Sequence, residues 1–110
     1  MKPSYEHHRY DMKDLLRLAI SERAERLSLY VGQPPVVQVR GEERSIEGPA
    51  VTLKNALSLL RQMADTRRMR EIQKQGIVGF VYTVPRKAKF RIQARLVREE
   101  MQIEVHRVVA

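Results

Sequence analysis

The chain has 110 residues, which is the size of one ordinary domain, and its 43% hydrophobic and 31% charged residues are typical of a globular protein. The sequence contains no cysteine, which excludes disulfides, thiol catalysis and zinc–thiolate sites. No run of 18 apolar residues occurs, and residues 1–8 lack the apolar stretch of a secretory signal peptide. We therefore expect a cytoplasmic protein.

The positive charge is concentrated in one part of the chain. Twenty-one Lys and Arg oppose thirteen Asp and Glu, which gives a formal net charge of +8. Residues 66–98 hold ten of the basic residues and a single acid, Glu71, whereas the remainder is close to neutral. A field of this kind favours anionic partners such as phosphates, nucleic acid or an acidic protein surface.

The first half of the chain predicts a helix followed by a hairpin. Residues 1–10 are polar and without periodicity, so we expect a flexible arm before a single domain over 11–110. Apolar residues at helical spacing predict a helix over 11–26, with Asp11 as its N-cap. Residues 27–31 and 36–40 read as strands around a Gly/Pro turn, which predicts an antiparallel hairpin. Residues 42–51 read mostly as loop, with a short strand near Ile46.

The second half predicts two helices and three strands. Thr52 is a good N-cap for a helix over 53–64, and the pair Asp65-Thr66 begins another that runs to residue 75, where Gly76 ends it. Strands are expected over 77–84, over 89–97 and from Met101 onward. The fold class is therefore α+β, with one twisted antiparallel sheet and helices packed on one face.

Residues 89–97 alternate between apolar and basic side chains, so one sheet face is buried and the other is wet and basic. Lys89, Arg91 and Arg95 share the wet face, and Arg98 extends their row into the following turn. Guanidinium groups in such a row suit phosphate oxyanions, although charges on a wet face can also serve solubility alone.

Nucleic-acid binding is a further interpretation of this basic row. It is disfavoured because such a surface needs aromatic rings among its basic residues, on which nucleobases can stack. Phe80, Tyr82 and Phe90 fall on core-facing positions instead.

The chemistry of a stand-alone enzyme is missing from the sequence. The five glycines form no phosphate-binding loop, so ATP hydrolysis through a P-loop is excluded for this chain. His7 and His8 lie in the polar arm, and His106 points outward on a strand, so no metal site is expected. Glu99 and Glu100 fall in a turn without apolar surroundings, so we expect solvated charges there rather than a pair of acid/base carboxyls. We expect no catalytic residues and no cofactor bound by this chain.

Two stretches resemble one protein family. Residues 24–41, AERLSLYVGQPPVVQVRG, resemble the ASDLHLxxGxPPxxRxxG signature of the N-terminal domain of type IV pilus retraction ATPases, the PilT type within the secretion-ATPase superfamily. Residues 80–93, FVYTVPRKAKFRIQ, are similar to the FxYxxPxxxRFRVN segment of the same domain, and 105–109 to its closing VxRxI strand. The resemblance covers residues 11–109. The chain departs from the pattern at Arg26 and Ser28, and Arg98-Glu99 stands where the family has an Arg-Gly turn.

This resemblance implies a PAS-like, non-catalytic assembly domain of a twitching-motility or type II secretion motor. Such a domain packs on the RecA-like ATPase domain of its own or a neighbouring subunit in a hexamer, at the inner face of the membrane, where the ATPase domain holds ATP and Mg²⁺. Arginines of the last strands would contact the nucleotide phosphates in trans; the matching residues are Arg91, Arg98 and Arg107, and Arg95 is a neighbour that can substitute for one of them. The corresponding interface residues are Gly32, Pro34, Pro35 and Lys89.

Three hypotheses therefore stand. The chain is a motor domain as described, or a free-standing PAS-like sensory or protein-interaction domain, or a basic nucleic-acid-binding domain. Since the sequence ends where the ATPase domain of such motors begins, the first hypothesis predicts that this chain is a fragment.

Overall fold

The computed structural model describes residues 10–109, so all of the expected arm except Tyr10 lies outside the described residues. These residues form one six-stranded sheet and three helices. In chain order the elements are α1 (Met12–Ser21), β1 (Arg26–Tyr30), β2 (Val36–Val39), β3 (Glu42–Ser45), α2 (Leu53–Arg61), α3 (Thr66–Gln75), β4 (Ile77–Val84), β5 (Ala88–Val97) and β6 (Glu100–Arg107).

The sheet has the strand order β3-β2-β1-β6-β5-β4, and every neighbouring pair is antiparallel. The first and last strands, β1 and β6, lie side by side at its centre, whereas β3 and β4 form its two edges. The predicted α+β class is confirmed, and so is the β1–β2 hairpin.

The two faces of the sheet differ as the alternation predicted. On one face, which we call the core face, Phe80, Ile92, Val105 and Leu27 lie in register across four strands, and each is at most 8% exposed. The helices bury their apolar residues against this face in one continuous hydrophobic cluster. The opposite face, which we call the open face, carries the polar and charged residues that alternate with the core.

The predicted N-caps of all three helices are confirmed. Asp11 accepts a hydrogen bond from the backbone of Lys13 at 2.9 Å, and Thr52 accepts one from Asn55 at 3.1 Å. Asp65 caps α3 in the same way, and Gly76 ends that helix with φ of +78°. These short polar side chains satisfy backbone N–H groups that the first helical turn leaves without partners.

Two predicted helix ends are wrong. Helix α1 stops at Ser21 rather than at residue 26, because the chain reverses at Arg23 with φ of +57° and then enters β1. Helix α2 stops at Arg61 rather than at residue 64. The short strand expected near Ile46 is β3, which ends at Ser45 and pairs with β2 across a turn in which Arg40 and Gly41 both have positive φ. All four residues of β3 are exposed, so no apolar alternation marks where this strand begins and ends.

Candidate interaction surface and phosphate-contact residues

The basic row on β5 lies on the open face, as predicted. Lys89, Arg91 and Arg95 are all exposed, and the row is about 20 Å long at the usual rise of a strand. Arg91 stands opposite His106, and Arg95 stands opposite Gln102. Among the ion pairs of residues 10–109, none involves these three side chains. Their charge is therefore directed to solvent or to a partner, and the length of the row suits an extended anionic surface.

Cations also line a cleft that the sequence did not reveal, and one of them, Lys89, belongs to the basic row as well. Arg23, Lys87, Lys89 and Arg107 line this basic cleft, which has a volume of about 640 Å³. Lys89 begins β5 and Arg107 ends β6, and the backbone N–H of Val108 donates to the Lys89 carbonyl at 2.9 Å. The β5–β6 ladder therefore holds the two cations at the same end of the sheet.

Arg107 is held in a defined position within the basic cleft. Its guanidinium lies 6.0 Å from the centroid of the Phe90 ring, within cation–π distance. Its backbone N–H donates to the Glu25 carbonyl at 3.0 Å. A half-buried arginine anchored on an aromatic ring loses less side-chain freedom on meeting an oxyanion than a fully exposed one.

The four arginines matched to phosphate contact do not converge. Arg91 and Arg95 lie on the open face, and Arg107 lies in the basic cleft. Arg98 occupies the β5–β6 turn with φ of +60°. Since this turn precedes β6 and Arg107 ends it, the two are roughly 25 Å apart along the strand. One nucleotide phosphate group could therefore not contact Arg98 and Arg107 together.

Three of the four matched interface residues lie around the turn after β1, whereas Lys89 lies on β5. Gly32 is exposed, with φ of +97°, and its N–H donates to the Val51 carbonyl at 2.8 Å. Pro34 is half-buried and Pro35 is buried, and the Pro35 carbonyl accepts from Ile46 at 2.8 Å. Within the described residues, Gly32 and Pro34 thus offer surface to a partner, whereas Pro35 packs inside the domain.

A polar cluster at the centre of the open face was missed at the level of the sequence. The Tyr30 hydroxyl donates a hydrogen bond to Glu104, whose other oxygen lies 3.0 Å from the His106 ring. Burial raises the pKa of Glu104, but the hydrogen bonds from Tyr30 and His106 outweigh it and bring the pKa below its usual 4.5. The hydrogen bond to Glu104 and partial burial raise the pKa of Tyr30.

This cluster joins strands rather than preparing a reaction. A general base works best with a pKa near the working pH, and the pKa of Glu104 is shifted in the opposite direction. Glu104 and His106 lie two residues apart on β6, and Tyr30 joins them only through the β1–β6 register.

The aromatic residues lie where the sequence analysis expected. Phe80 and Phe90 are buried and Tyr82 packs against the core, so their rings are not available to stack on bases from the open face. Within residues 10–109, no helix is both long enough and apolar enough to cross a membrane.

Comparison with known proteins supports the resemblance seen in the motifs. No protein-family model matches the chain. It is 27% identical over 84 residues to the type IV pilus retraction ATPase PilT of Pseudomonas aeruginosa, a match that covers 76% of this chain and 24% of that protein. The predicted similarity to retraction ATPases is thereby confirmed.

Solved structures share the fold. The pilus retraction motor PilT with bound ADP matches with a TM-score of 0.81 and 17% identity, over 92% of this chain and 30% of that one. The ATPase DotB of Legionella pneumophila matches with a TM-score of 0.77 and 17% identity, over 94% of this chain and 30% of that one. The chain thus spans about a quarter to a third of the proteins that it resembles.

Proposed function

We propose that this chain is the non-catalytic assembly domain of a pilus retraction or secretion motor. In this proposal it docks on a RecA-like ATPase domain of the same or a neighbouring subunit, within a hexamer. The similarity to PilT over 76% of the chain carries the proposal. A fold shared with PilT and DotB over more than nine-tenths of the chain supports it.

The proposal assigns the nucleotide contact to the basic cleft. ATP and Mg²⁺ would be held by the partner ATPase domain, and this domain would present cations to the phosphates from outside. Arg107 and Lys89 suit this role because they lie together at one end of the sheet, with Arg23 and Lys87 beside them. A fixed guanidinium at a phosphate stabilises the charge that develops during phosphoryl transfer.

Under this proposal the other matched arginines serve different contacts. Arg91 and Arg95 lie on the open face, where they would meet an acidic protein surface rather than the same phosphate. Arg98 lies in the β5–β6 turn, at the end of the sheet opposite the basic cleft, and would contact a partner at that end. The distinct positions of these three residues make their contributions separable by mutation.

The first test is the size of the native product, measured by immunoblot of its own cells with an antibody raised against this domain. A band well above 12.9 kDa is expected for a motor subunit. A single band at 12.9 kDa would favour a free-standing interaction or sensory domain instead.

The second test is the ATP turnover of the assembled motor with charge reversals. Lys89→Glu combined with Arg107→Glu should lower turnover at least tenfold, since both cations of the cleft are then replaced by carboxylates. Arg70→Glu, which reverses an exposed charge on α3, is the matched control and should leave turnover unchanged. If both variants turn over ATP at the same rate as the parent, the phosphate contact is wrong.

A further inference from the structure

The two edges of the sheet are built differently. Edge strand β3 has four residues, three of them charged, and such short charged edges resist pairing with another chain. Edge strand β4 has eight residues, with the sequence IVGFVYTV and no charge or proline. It pairs with β5 in continuous register from Ile77 to Val84, so no bulge protects it either. Among residues 10–109, the β3 edge is therefore protected against an added strand, whereas no element covers the β4 edge.

The ladder shows which backbone groups face outward from β4. The Leu96 N–H donates to the Gly76 carbonyl at 2.8 Å, which makes these two a hydrogen-bonded pair. Hydrogen-bonded and non-hydrogen-bonded pairs alternate in an antiparallel ladder, so the outward groups belong to the odd-numbered residues of β4. These are Ile77, Gly79, Val81 and Thr83, all of which are exposed.

On the open face, β4 exposes apolar side chains and the neighbouring strand β5 carries basic ones. Ile77 is 53% exposed and Val81 is 57% exposed, which is high for large apolar side chains. Directly across from them on β5 stand Arg95 and Arg91. An extended segment beside β4 would therefore cover the two apolar side chains and bring its own open-face side chains within reach of two guanidinium groups.

The core-face side offers a groove between α1 and the end of β4. The groove has a volume of about 450 Å³, with Leu16, Ile20, Tyr82 and Val84 among its lining residues. Three cations, Lys13, Arg17 and Lys87, also line it. Apolar side chains of an added strand would fit this groove, and acidic flanks of the same strand would meet the cations.

We propose that β4 is a docking edge for an extended acidic segment of another protein, which adds to the sheet as a seventh strand. Alternate residues of the segment are acidic toward Arg91 and Arg95 and apolar toward the groove. A second copy of this chain is a poor occupant, because pairing β4 with itself would bring together two regions that each carry ten bases and one acid over 66–98. This inference does not depend on the ATPase partner or on the phosphate contact.

The test uses the full chain and a ten-residue peptide of alternating glutamate and valine. Its binding is measured by fluorescence anisotropy, and hydrogen exchange of the backbone amides is followed by NMR. The amides of Ile77, Gly79, Val81 and Thr83 should become protected, because an added strand would accept their hydrogen bonds. A peptide of alternating lysine and valine should bind at least tenfold more weakly.

Two substitutions separate backbone pairing from simple charge attraction. Val81→Pro removes an outward N–H without touching the β4–β5 ladder, and it should weaken binding at least tenfold. Val81→Thr keeps the N–H and is the matched control, with affinity within twofold of the parent. If the proline variant does not fold, protection of the four outward amides in the parent protein still separates backbone pairing from charge attraction.

Three results would overturn the proposal. The first is peptide binding without protection of the four outward amides, which would reduce the interaction to charge alone. The second is equal affinity for the lysine peptide. The third is a concentration-dependent dimer of the free chain that Val81→Pro abolishes, since a second copy would then be the occupant of the edge.

Discussion

The Tyr30 hydroxyl donates a hydrogen bond to the Glu104 carboxylate, although the two residues are 74 positions apart in the chain. The bond runs diagonally across the pair of β1 and β6, in which Tyr30 stands opposite Gln102 and Ser28 stands opposite Glu104. It therefore joins the first strand of the domain to the last at the centre of the sheet.

This contact predicts how stability depends on pH. The pKa of Glu104 is lowered on folding, so its contribution to the free energy of unfolding is complete above its usual pKa of 4.5 and is lost as the pH falls through the lowered value. Glu104→Gln should therefore flatten the loss of stability between pH 6 and pH 3. Urea unfolding of the parent and the variant at pH 6 and pH 3 measures this loss of stability. The same loss in both proteins would contradict the lowered pKa of Glu104.

A companion substitution locates the cause of the shift. Tyr30→Phe removes the hydroxyl that stabilises the ionised carboxylate, so the pKa of Glu104 should move upward. Carbon-detected NMR titration of the Glu104 carboxyl gives that pKa directly. Tyr82→Phe serves as control, because the Tyr82 hydroxyl does not belong to the cluster, and it should leave the pKa of Glu104 unchanged.

The hydrogen bond at the start of α2 gives a second prediction. The Thr52 hydroxyl accepts from the Asn55 N–H, so Thr52→Ala should lower the free energy of unfolding by about 1 kcal/mol. Thr52→Ser keeps the oxygen and should cost less than half as much. Urea titration of the three proteins decides, and an alanine variant as stable as the parent would show that the cap contributes nothing.

The sequence predicted those elements of the fold that local residue patterns determine, and it predicted less well those that depend on pairing with a distant segment. Caps such as Thr52 and Asp65, and the alternation over 89–97, are local patterns that announced their elements correctly. Strand β3 has no such pattern, because its pairing with β2 rather than its own apolar residues makes it a strand.

The candidate site was predicted only where its residues share one element. Lys89, Arg91 and Arg95 could be placed on one face because they lie on one strand at even spacing. The basic cleft escaped notice because Arg23 and Lys87 reach it from two separate turns. Distances between segments depend on strand order, which puts β6 between β1 and β5 and which no local pattern encodes.

Gly76, at the junction of α3 and β4, gives a third prediction, and Gly79 within β4 provides its control. Gly76 has φ of +78°, and a Cβ there would lie 3.1 Å from the Leu96 carbonyl oxygen. Gly76→Ala should therefore destabilise the domain by about 1–2 kcal/mol, since L residues are strained in this conformation. At Gly79 a Cβ would meet the Ile92 carbonyl oxygen at an ordinary 3.6 Å, so Gly79→Ala should be neutral or slightly stabilising. Equal thermal midpoints for the two variants would refute the argument.

The last prediction concerns Arg98, which adopts φ of +60° in the two-residue turn between β5 and β6. This conformation is unfavourable for a residue with a Cβ by about 1 kcal/mol, and glycine adopts it freely. Arg98→Gly should therefore raise the free energy of unfolding by about 1 kcal/mol. Arg98→Ala, which keeps the Cβ, should leave it within about 0.5 kcal/mol of the parent.

An arginine retained where glycine would be more stable is itself a reason to look for a function of that side chain. If Arg98 serves a contact in an assembled motor, the stabilised glycine variant should turn over ATP more slowly, and the alanine variant should share the defect. Unfolding by urea and turnover of the assembly are therefore measured on the same two proteins. A glycine variant that is more stable and fully active would show that Arg98 is only a turn residue.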